Sequence, residues 1–482
     1  MSIATIAPKP GILRKRTNIV SALKKMLSPG AVIAEEAGLR VYDGDAFFAY
    51  RRLPLAVVLP SSTAEVSAIL KYCHAEGIRV VPRGAGTSLS GGALPVEDAL
   101  VLSLTRMNRV LDVNLESRII RVETGITNTA VSNAVSKAGF AFAPDPSSQI
   151  ACTIGGNIAA NAGGAHCLKY GVTTNNVLGV KMVLMNGEVV EFGGPHLDAG
   201  GYDFLALING SEGQLGIVTE ATLRILRQAE AARPVLIGFP SSESAGKCVS
   251  AIIARGIVPV AIEFMDKPAI KVCEEYAQAG YPLDAGALLI VEVEGSEDEI
   301  AMQLAEIEEI ATGFSPTVIH VSQSEEQSAR IWKGRKAAFG AIGRIADYYC
   351  TDGVIPLAQL SKALNAIATI GQKHKLQVAN IFHAGDGNLH PIILYDANDE
   401  NERTRAELCG EEILKVCVKL GGCLSGEHGV GVEKRELMTQ QYNEVDIAQQ
   451  MRVKSVFDPE WLLNPGKVFP LKAQEPFLDR VR

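Results

Sequence analysis

The sequence contains no apolar run long enough to cross a lipid bilayer. A membrane-spanning helix needs about 20 consecutive apolar residues, and no stretch of the 482 residues approaches that length. The first residues (MSIATIAPKPGILRKR) also lack the continuous apolar core of a secretory signal. We therefore expect a cytoplasmic protein.

The cysteines lack the patterns of metal clusters and of disulfide frameworks. There are nine, an odd number, and no two of them form a Cys-x-x-Cys pair. Cys409, Cys417 and Cys423 come closest to a cluster, but their spacing fits neither a zinc site nor a ferredoxin-type iron–sulfur loop. We interpret them as reduced thiols that pack a helix, as in proteins of a reducing compartment.

A basic surface is also missing. Lys and Arg number 46 against 54 Asp and Glu, which gives a formal net charge of −8. Nucleic-acid-binding domains cluster their basic residues, so we expect no nucleic-acid partner. At roughly 100–200 residues per domain, the length predicts two to four domains.

Apolar periodicity and turn residues predict a mixture of strands and helices. A strand over 55–60, a helix that begins at a capping box (Ser62-Thr-Ala-Glu65) and a strand over 79–82 form a βαβ unit. Further strands are predicted at 100–104, 119–123, 180–186, 188–192, 217–226, 235–239, 288–295, 317–321 and 348–356, and further helices at 243–255, 297–312 and 404–420. The pattern changes at Arg233-Pro234, which predicts a domain boundary there and an antiparallel sheet with helices beyond it. The predicted fold class is α+β.

Three glycine-rich stretches, at 82–92, 144–171 and 210–219, carry many small residues. In the first, four glycines let the backbone approach an anion and direct N–H groups at it. This loop lacks the third glycine of a dinucleotide fingerprint and the Gly-Lys-Ser/Thr of a P-loop. Taken alone, it is as consistent with a tight turn as with a diphosphate site. The glycine pairs at 155–156 and 163–164 favour a ligand-binding loop over a purely structural one. Each glycine raises the entropy lost when the loop is ordered, and a purely structural loop does not need two such pairs.

The candidate catalytic residues lie in two further glycine-rich loops. His383 and His390 flank Ala384-Gly-Asp-Gly-Asn388, which is unsuited to a helix and which we expect to turn the two imidazoles toward one point. Glu427 and His428 follow in the second loop. Two imidazoles and a carboxylate form a ligand set suited to a divalent metal. The alternative is that these histidines only satisfy loop carbonyls.

The order of these motifs resembles the vanillyl-alcohol-oxidase family of FAD-linked oxidases. The resemblance rests on PRGAGTSLSGG, PDPSSQIACTIGGNIAANAGG and GSEGQLGIVTEATLRI, followed by IFHAGDGNLHPIIL, LSGEHGVGVEKRELM and FDPEWLLNPGKVFP. It extends from about residue 40 to about residue 470. Within the family, the sequence most resembles the branch of bacterial glycolate dehydrogenase (glycolate oxidase), which has D-lactate and D-2-hydroxyglutarate dehydrogenases as close relatives.

The resemblance implies an α+β fold in three parts. Residues 1–232 would form a PCMH-type FAD-binding domain with two α+β subdomains. Residues 233–430 would form a substrate- and metal-binding cap domain, with an antiparallel sheet covered by helices, and 431–482 a segment that returns to the FAD domain. FAD would be non-covalent, because Thr87 lies near the place where some relatives carry the histidine that tethers the flavin.

The resemblance also implies which residues hold FAD. The pyrophosphate would lie on the loop from Arg83 to Ser88, and Glu212 and 216–218 would hold the other end of the cofactor by backbone contacts. The full set is Arg83, Gly84, Ala85, Gly86, Thr87, Ser88, Pro144, Asp145, Ser148, Thr153, Gly156, Asn157, Ala160, Asn161, Ala162, Gly163, Gly164, Glu212, Gly216, Ile217, Val218 and Asn464.

The implied reaction is the oxidation of glycolate, or of another small (R)-2-hydroxy acid such as D-lactate, to the 2-oxo acid. The hydride would pass to the flavin. His383, His390 and Glu427 would bind a divalent metal, Zn²⁺ or Mn²⁺, that chelates the substrate. His428 would take the hydroxyl proton as general base.

Arg335 is the residue that the resemblance assigns to a substrate carboxylate, which its planar fork suits. The alternative is a surface helix residue paired with a neighbour. Relatives that oxidise the five-carbon diacid carry a threonine and a lysine where, counted from Trp332, this chain has Phe339 and Cys350. We therefore expect a preference for glycolate and D-lactate over D-2-hydroxyglutarate.

The electron acceptor must lie outside this chain, which has no nicotinamide fingerprint and no iron–sulfur spacing. The resemblance implies a second flavoprotein subunit, an iron–sulfur subunit and a quinone acceptor, with peripheral membrane association through those partners. Two alternatives stay open: a self-sufficient D-lactate or D-2-hydroxyglutarate dehydrogenase, and a non-catalytic flavoprotein that relays electrons. The joint presence of His383, His390, Glu427 and His428 favours catalysis over relay.

Overall fold

The structure is a computed structural model and describes residues 5–47, 50–196 and 200–478. The strands are β1 (Val32–Ile33), β2 (Ala56–Val58), β3 (Arg79–Arg83), β4 (Ala99–Ser103), β5 (Val110–Asn114), β6 (Ile119–Glu123), β7 (Phe140–Ala141), β8 (Val177–Val183), β9 (Val189–Gly193), β10 (Ile217–Arg224), β11 (Leu226–Arg227), β12 (Ala231–Phe239), β13 (Ala261–Asp266), β14 (Ala287–Gly295), β15 (Val318–Val321), β16 (Asp347–Cys350), β17 (Gly353–Val354), β18 (Gln377–His383), β19 (Asn388–Leu389) and β20 (Pro391–Tyr395).

The helices cover the sheets. They are α1 (Pro10–Arg14), α2 (Arg16–Met26), α3 (Glu36–Leu39), α4 (Thr63–Glu76), α5 (Asn128–Ser136), α6 (Ile154–Ala160), α7 (Cys167–Tyr170), α8 (Phe204–Ile208), α9 (Ser242–Ala254), α10 (Lys267–Ala277), α11 (Glu297–Thr312), α12 (Glu325–Lys336), α13 (Ala338–Ile342), α14 (Leu360–His374), α15 (Glu400–Lys419), α16 (Met438–Gln441), α17 (Glu444–Phe457) and α18 (Leu471–Leu478). Within the described ranges, no helix is both long and apolar enough to span a membrane.

Two compact units divide the chain. Among the described residues, the nine-stranded unit consists of 164–171 and 229–426, and the glycine-loop unit of 5–47, 50–163, 172–196, 200–228 and 427–478. The boundary predicted at 232/233 lies inside β12. That strand accommodates Pro234 because the Pro234 carbonyl accepts from Ser322 N–H at 3.1 Å. The missing proline N–H therefore faces the Ser322 side and leaves the ladder with β14 complete.

The nine-stranded unit is built on one antiparallel sheet. Its order is β15-β12-β14-β13-β18-β19-β17, with β20 beside β18 and β16 beside β20. Alternate residues of β12 face opposite sides, as strand geometry requires. Val235 and Ile237 join a core with α9, α11, α14 and α15, whereas Leu236 joins a second core with α10, α12 and α13. The predicted antiparallel sheet with helical cover is confirmed.

The glycine-loop unit contains two larger sheets. In the order β1-β2-β4-β3, the last three strands run parallel, and α4 connects β2 to β3. The apolar stripe of α4, which includes Val66, Ile69 and Leu70, is fully buried against this sheet. The second sheet, β5-β6-β10-β8-β9, is antiparallel and packs against α5, α6 and α8.

Several predicted elements differ in detail from the structure, and three of them show the physical reason. Ser62 does cap α4, but Glu65 reaches the Ser61 N–H at 2.7 Å instead of closing the box on Ser62. The strand predicted over 217–226 is split into β10 and β11, because β11 leaves the larger sheet to pair with β7. The helix predicted from 404 begins at Glu400, where the Asp399 carboxylate accepts from Asn401 N–H at 2.8 Å, a cap that the apolar pattern does not reveal.

Candidate functional site

The first glycine-rich loop lies directly against the second within the glycine-loop unit. The loop follows β3, and a Cβ atom on Gly84 would collide with Thr153 Oγ1 and lie 3.6 Å from the Gly156 backbone. The Thr153 hydroxyl accepts from Gly156 N–H at 3.3 Å and so caps α6. Because only glycine permits this approach, the backbones of two stretches come within reach of one bound anion.

The third glycine-rich stretch packs on the same helix. The Glu212 N–H donates to Ala159 O of α6 at 2.8 Å. Asn464 joins this turn to the first loop, because its Nδ2 donates to Glu212 O at 2.6 Å and to Gly92 O at 3.1 Å. The stretches at 82–92 and 210–219, residues 144–163 of the second stretch and the C-terminal Asn-Pro-Gly-Lys segment therefore belong to one unit.

Buried polar groups in this cradle fit a phosphate-bearing cofactor. Asn157 is 2% exposed, and its side-chain nitrogen has no hydrogen-bond partner among the described residues. Buried donors are normally satisfied, so this amide is available to donate to a ligand. The remaining residues implied for FAD also lie in this unit, except Gly164, which begins the 164–171 segment of the other: Arg83, Ala85, Gly86, Thr87, Ser88, Pro144, Asp145, Ser148, Ala160, Asn161, Ala162, Gly163, Gly216, Ile217 and Val218.

Two charged residues of this unit, Lys467 and Asp45, were not predicted from the sequence. The Lys467 ammonium donates to Asn464 Oδ1, and burial lowers the pKa of Lys467 to about 7. Burial raises the pKa of Asp45 and of Glu212, which face the same ammonium. The lysine of the Asn-Pro-Gly-Lys motif is the signal that could have revealed this cluster.

The loop that carries His428 is fixed through its backbone. The Ser90 hydroxyl donates to His428 O at 2.9 Å. The Glu212 carboxylate accepts from Val430 N–H at 2.6 Å and Gly431 N–H at 2.8 Å. The resemblance predicted that the Glu212 backbone contacts FAD. The Glu212 side chain has a different role in the structure, because it binds the loop that carries the candidate base.

In the nine-stranded unit, a tight hairpin brings His383 and His390 together. The last residue of β18, His383, pairs with Asn388 of β19 across the turn. Gly387 adopts φ of 77°, which favours glycine, and the Asp386 carboxylate accepts from Asn388 N–H at 3.0 Å. The two imidazole centroids lie 5.3 Å apart with the rings nearly perpendicular.

Glu263 is a buried member of this cluster that the sequence did not reveal. Its Oε1 is 2.7 Å from His383 Nδ1, and its Oε2 accepts from Arg335 Nε at 2.7 Å. Burial alone would raise the pKa of Glu263, but Arg335 and His383 outweigh it and lower this pKa to about 2. Glu263 comes from β13, 120 residues before His383, so no local motif marks the pair.

Arg335 is buried, so the alternative of a surface helix residue is wrong. It is 6% exposed, and its backbone N–H donates to the Tyr281 hydroxyl at 2.9 Å. The Tyr281 hydroxyl in turn donates to Ile331 O at 2.5 Å. The two terminal nitrogens of the guanidinium make no hydrogen bond to any residue that the structure describes.

Asp352 is a second buried carboxylate that the sequence did not reveal. Its Oδ1 lies 3.5 Å from His390 Nε2. Its Oδ2 accepts from Ser425 Oγ at 2.5 Å and from Gly426 N–H at 3.1 Å. Asp352 thereby fixes the segment that leads into Glu427 and His428, the first two residues of the last glycine-loop segment.

The two positions tied to substrate size also lie in the nine-stranded unit. Cys350 ends β16 and is buried, and Phe339 of α13 packs beside Tyr348 with ring centroids 6.0 Å apart. Neither side chain supplies a cation. The donor chemistry of His383 and His390 fits a divalent metal such as Zn²⁺ or Mn²⁺, because imidazole nitrogens are common ligands of these ions and a carboxylate partner such as Glu263 orients a ligating imidazole.

Two protein families match the sequence. The family described as "FAD binding domain" matches residues 54–193, and the family described as "FAD linked oxidases, C-terminal domain" matches residues 228–468. Their order agrees with that of the motifs, and the predicted resemblance is confirmed.

Curated relatives and a solved structure agree with this match. "Glycolate oxidase subunit GlcD" of Escherichia coli (strain K12) is 46% identical over 94% of this chain and 91% of that protein. "D-lactate dehydrogenase" of Archaeoglobus fulgidus is 34% identical over 86% of this chain and 90% of that protein. The crystal structure of p-cresol methylhydroxylase with substrate bound has a TM-score of 0.81 at 16% identity, covers 97% and 99% of the two chains, and shares the fold.

Proposed function

The chain belongs to the family of FAD-linked oxidases, and from this premise we propose that it oxidises glycolate or another small (R)-2-hydroxy acid to the 2-oxo acid. The observation that carries this proposal is the cluster of His383, His390, Glu263 and Arg335 in the nine-stranded unit. A buried arginine that shares its carboxylate partner with one of two neighbouring imidazoles suits a ligand that carries a carboxylate and a hydroxyl group. The relatives named for glycolate and for D-lactate support the same class of substrate.

The glycine-loop unit holds FAD in this proposal, and FAD supplies the hydride acceptor when bound. The backbone of 83–88 and α6 contacts the pyrophosphate, and Asn157 donates from its buried amide. Asn464 keeps the 210–216 turn on the first loop through its two hydrogen bonds. We propose that the cofactor is non-covalent, because Thr87 cannot form the histidyl bond that tethers flavin in some relatives.

We propose a divalent cation, Zn²⁺ or Mn²⁺, held by His383, His390 and Glu427. When bound, such a cation supplies Lewis acidity and a template for the substrate. His383 is pre-oriented by Glu263, and Glu427 directly follows Gly426, whose N–H is held by Asp352. The first contact limits the rotation of the His383 ring before any cation arrives, and the second fixes the backbone next to Glu427.

The protein's own side chains divide the remaining work. Arg335 binds the substrate carboxylate with its terminal nitrogens while its Nε stays on Glu263. His428 takes the hydroxyl proton as general base, since an imidazole titrates near working pH. The Ser90 and Glu212 hydrogen bonds keep its loop in place while the proton moves.

Electrons leave the chain for a separate acceptor. The Escherichia coli relative is named as a subunit, which supports partner subunits for this chain. We propose a second flavoprotein and an iron–sulfur subunit, with a quinone as the final acceptor. Localisation would be cytoplasmic, with peripheral membrane association through those partners.

A panel of 2-hydroxy acids tests the proposed function. The purified chain, reconstituted with FAD, is assayed with an artificial dye acceptor against glycolate, D-lactate, L-lactate and D-2-hydroxyglutarate. We expect turnover of glycolate and D-lactate, and little of L-lactate. Absence of turnover with every 2-hydroxy acid, in protein that holds FAD and metal, would contradict the proposal.

A further inference from the structure

Glu263 links two of the three groups that the proposed function uses in the nine-stranded unit. It is 1% exposed and lies on β13, and its two carboxylate oxygens contact different partners. Oε1 lies 2.7 Å from His383 Nδ1, and Oε2 accepts from Arg335 Nε at 2.7 Å. One side chain thus fixes a metal-ligand candidate and a substrate-binding candidate at once.

We propose that Glu263 is a positioning residue that sets both the tautomer of His383 and the direction of Arg335. An ionised carboxylate only accepts hydrogen bonds, so His383 must carry its proton on Nδ1 and present an unprotonated Nε2. Carboxylate partners of this kind orient a ligating imidazole and raise its basicity. This inference rests on the metal centre of the proposed function.

The same carboxylate determines which part of Arg335 meets the substrate. Glu263 occupies Nε, and the backbone N–H of Arg335 is held by the Tyr281 hydroxyl. The terminal nitrogens, which have no partner among the described residues, are therefore the ones directed at a carboxylate. A planar guanidinium fixed at Nε presents these two donors in parallel.

A glutamine cannot replace Glu263, although it has the same shape. Both partners donate, and a glutamine offers one acceptor oxygen and one donating NH₂ group. If the NH₂ group faces His383, it stabilises the tautomer with the proton on Nε2, which cannot bind metal. If it faces Arg335, two buried donors oppose each other and the guanidinium moves.

Asp266 provides a matched control on the same strand. It is also buried, but its partners are neutral: its carboxylate accepts from Asn380 Nδ2 at 2.7 Å and caps α10 through Ala269 N–H at 3.1 Å. Asparagine is also a good helix cap. D266N therefore removes a buried carboxylate from β13 without touching His383 or Arg335.

The test measures metal affinity apart from turnover. Full-length FAD-loaded protein is stripped of metal, and Zn²⁺ or Mn²⁺ alone is titrated in competition with a chelating dye. We expect E263Q to bind the cation about 10- to 100-fold more weakly than wild type, the usual effect of losing a carboxylate that orients a ligating histidine. D266N should bind it within about threefold of wild type, because Asp266 contacts no proposed ligand. At saturating metal, E263Q should also raise KM for glycolate more than it lowers kcat.

The outcomes separate the inference from the proposed function. If E263Q binds the cation as tightly as wild type, Glu263 is only structural and the inference is overturned, while the metal centre stands. If wild type binds no stoichiometric cation, the metal centre fails and the inference fails with it. Should E263Q lose FAD or its native circular dichroism, E263D is measured instead, because its shorter carboxylate cannot reach both partners. Wild-type affinity in E263D would equally overturn the inference.

Discussion

The two units of this protein build their sites from different parts of the chain. The glycine-loop unit uses backbone: Gly84 lies against Thr153, the Glu212 N–H donates to Ala159 O, and Asn464 bonds two carbonyls. The nine-stranded unit uses charged side chains brought together from separate strands and a helix, as with Glu263 and Arg335. A backbone cradle suits a large cofactor with a diphosphate, whereas a charged cluster suits a small acid and a cation. The division predicts that FAD affinity and metal affinity can each be lowered without the other, although the proposed ligand Glu427 and the base His428 belong to the glycine-loop unit.

Loss of the candidate base should give the largest effect while leaving both sites loaded. His428→Ala should slow reduction of the bound flavin by substrate by about 10²–10⁴-fold, the usual contribution of a general base. FAD content and metal content should stay at wild-type levels, because the loop is held through backbone atoms. His74→Ala, in the last turn of α4, is the control and should react at the wild-type rate. A His428→Ala protein of normal rate would remove this residue from the mechanism.

A side chain at Gly84 should weaken the cofactor site alone. A Cβ atom there collides with Thr153 Oγ1. Such overpacking costs about 1–3 kcal/mol, so Gly84→Ala should bind FAD about tenfold more weakly. Fluorescence titration of the apoprotein with FAD measures this change. Metal affinity should not change. Gly11→Ala, whose added methyl meets no atom within 4 Å, is the matched control. Equal FAD affinity in both variants would show that the loop has no part in the cradle.

The preference for small substrates over larger ones tests the substrate site of the nine-stranded unit and does not depend on FAD affinity. A second carboxylate would meet Phe339 and Cys350 and would be desolvated without a cation, which costs several kcal/mol. We expect kcat/KM for D-2-hydroxyglutarate to be at least about tenfold below that for glycolate or D-lactate, a difference of about 1.4 kcal/mol. Arg335→Ala should lower kcat/KM for the small acids and leave FAD affinity unchanged. Faster turnover of the diacid than of the small acids would refute this account of the pocket.

The smallest predicted effect is a dependence of stability on pH that comes from Asp266, the second buried carboxylate of β13. Burial raises the pKa of Asp266 to about 6, from 3.8. The folded protein therefore keeps a proton that the unfolded chain releases, and stability falls as the pH rises from about 4 to about 6. D266N lacks this titration. The Tm of D266N minus the Tm of wild type should therefore increase by a few degrees between pH 4 and pH 7, which corresponds to about 1–3 kcal/mol of unfolding free energy. A constant difference in Tm across that range would contradict the assignment.

The sequence predicted the site of the glycine-loop unit better than the charged cluster of the nine-stranded unit. Glycine spacing is local, so the loop at 83–92, the pair at 155–156 and the turn at 210–216 are all visible in the order of the residues. The hairpin at 384–387 was predicted for the same reason. Glu263 and Asp352 were missed because their partners lie far away along the chain. A single acidic residue in an apolar strand, as at Glu263, or just after one, as at Asp352, has no periodic signal. Strand and helix ends shifted by a few residues where pairing or a cap, as at Asp399, took precedence over the apolar pattern.

The glycine-loop unit is expected to hold the flavin, and the nine-stranded unit to supply His383 and His390 for the metal and Arg335 for the acid. The most direct test of this division is anaerobic reduction of the bound flavin by glycolate, followed by absorbance, with the metal present and after its chelation. We predict that chelated protein keeps its full FAD spectrum but is no longer reduced by glycolate, and that Zn²⁺ or Mn²⁺ restores reduction. Undiminished reduction in protein shown by elemental analysis to be metal-free would contradict the division.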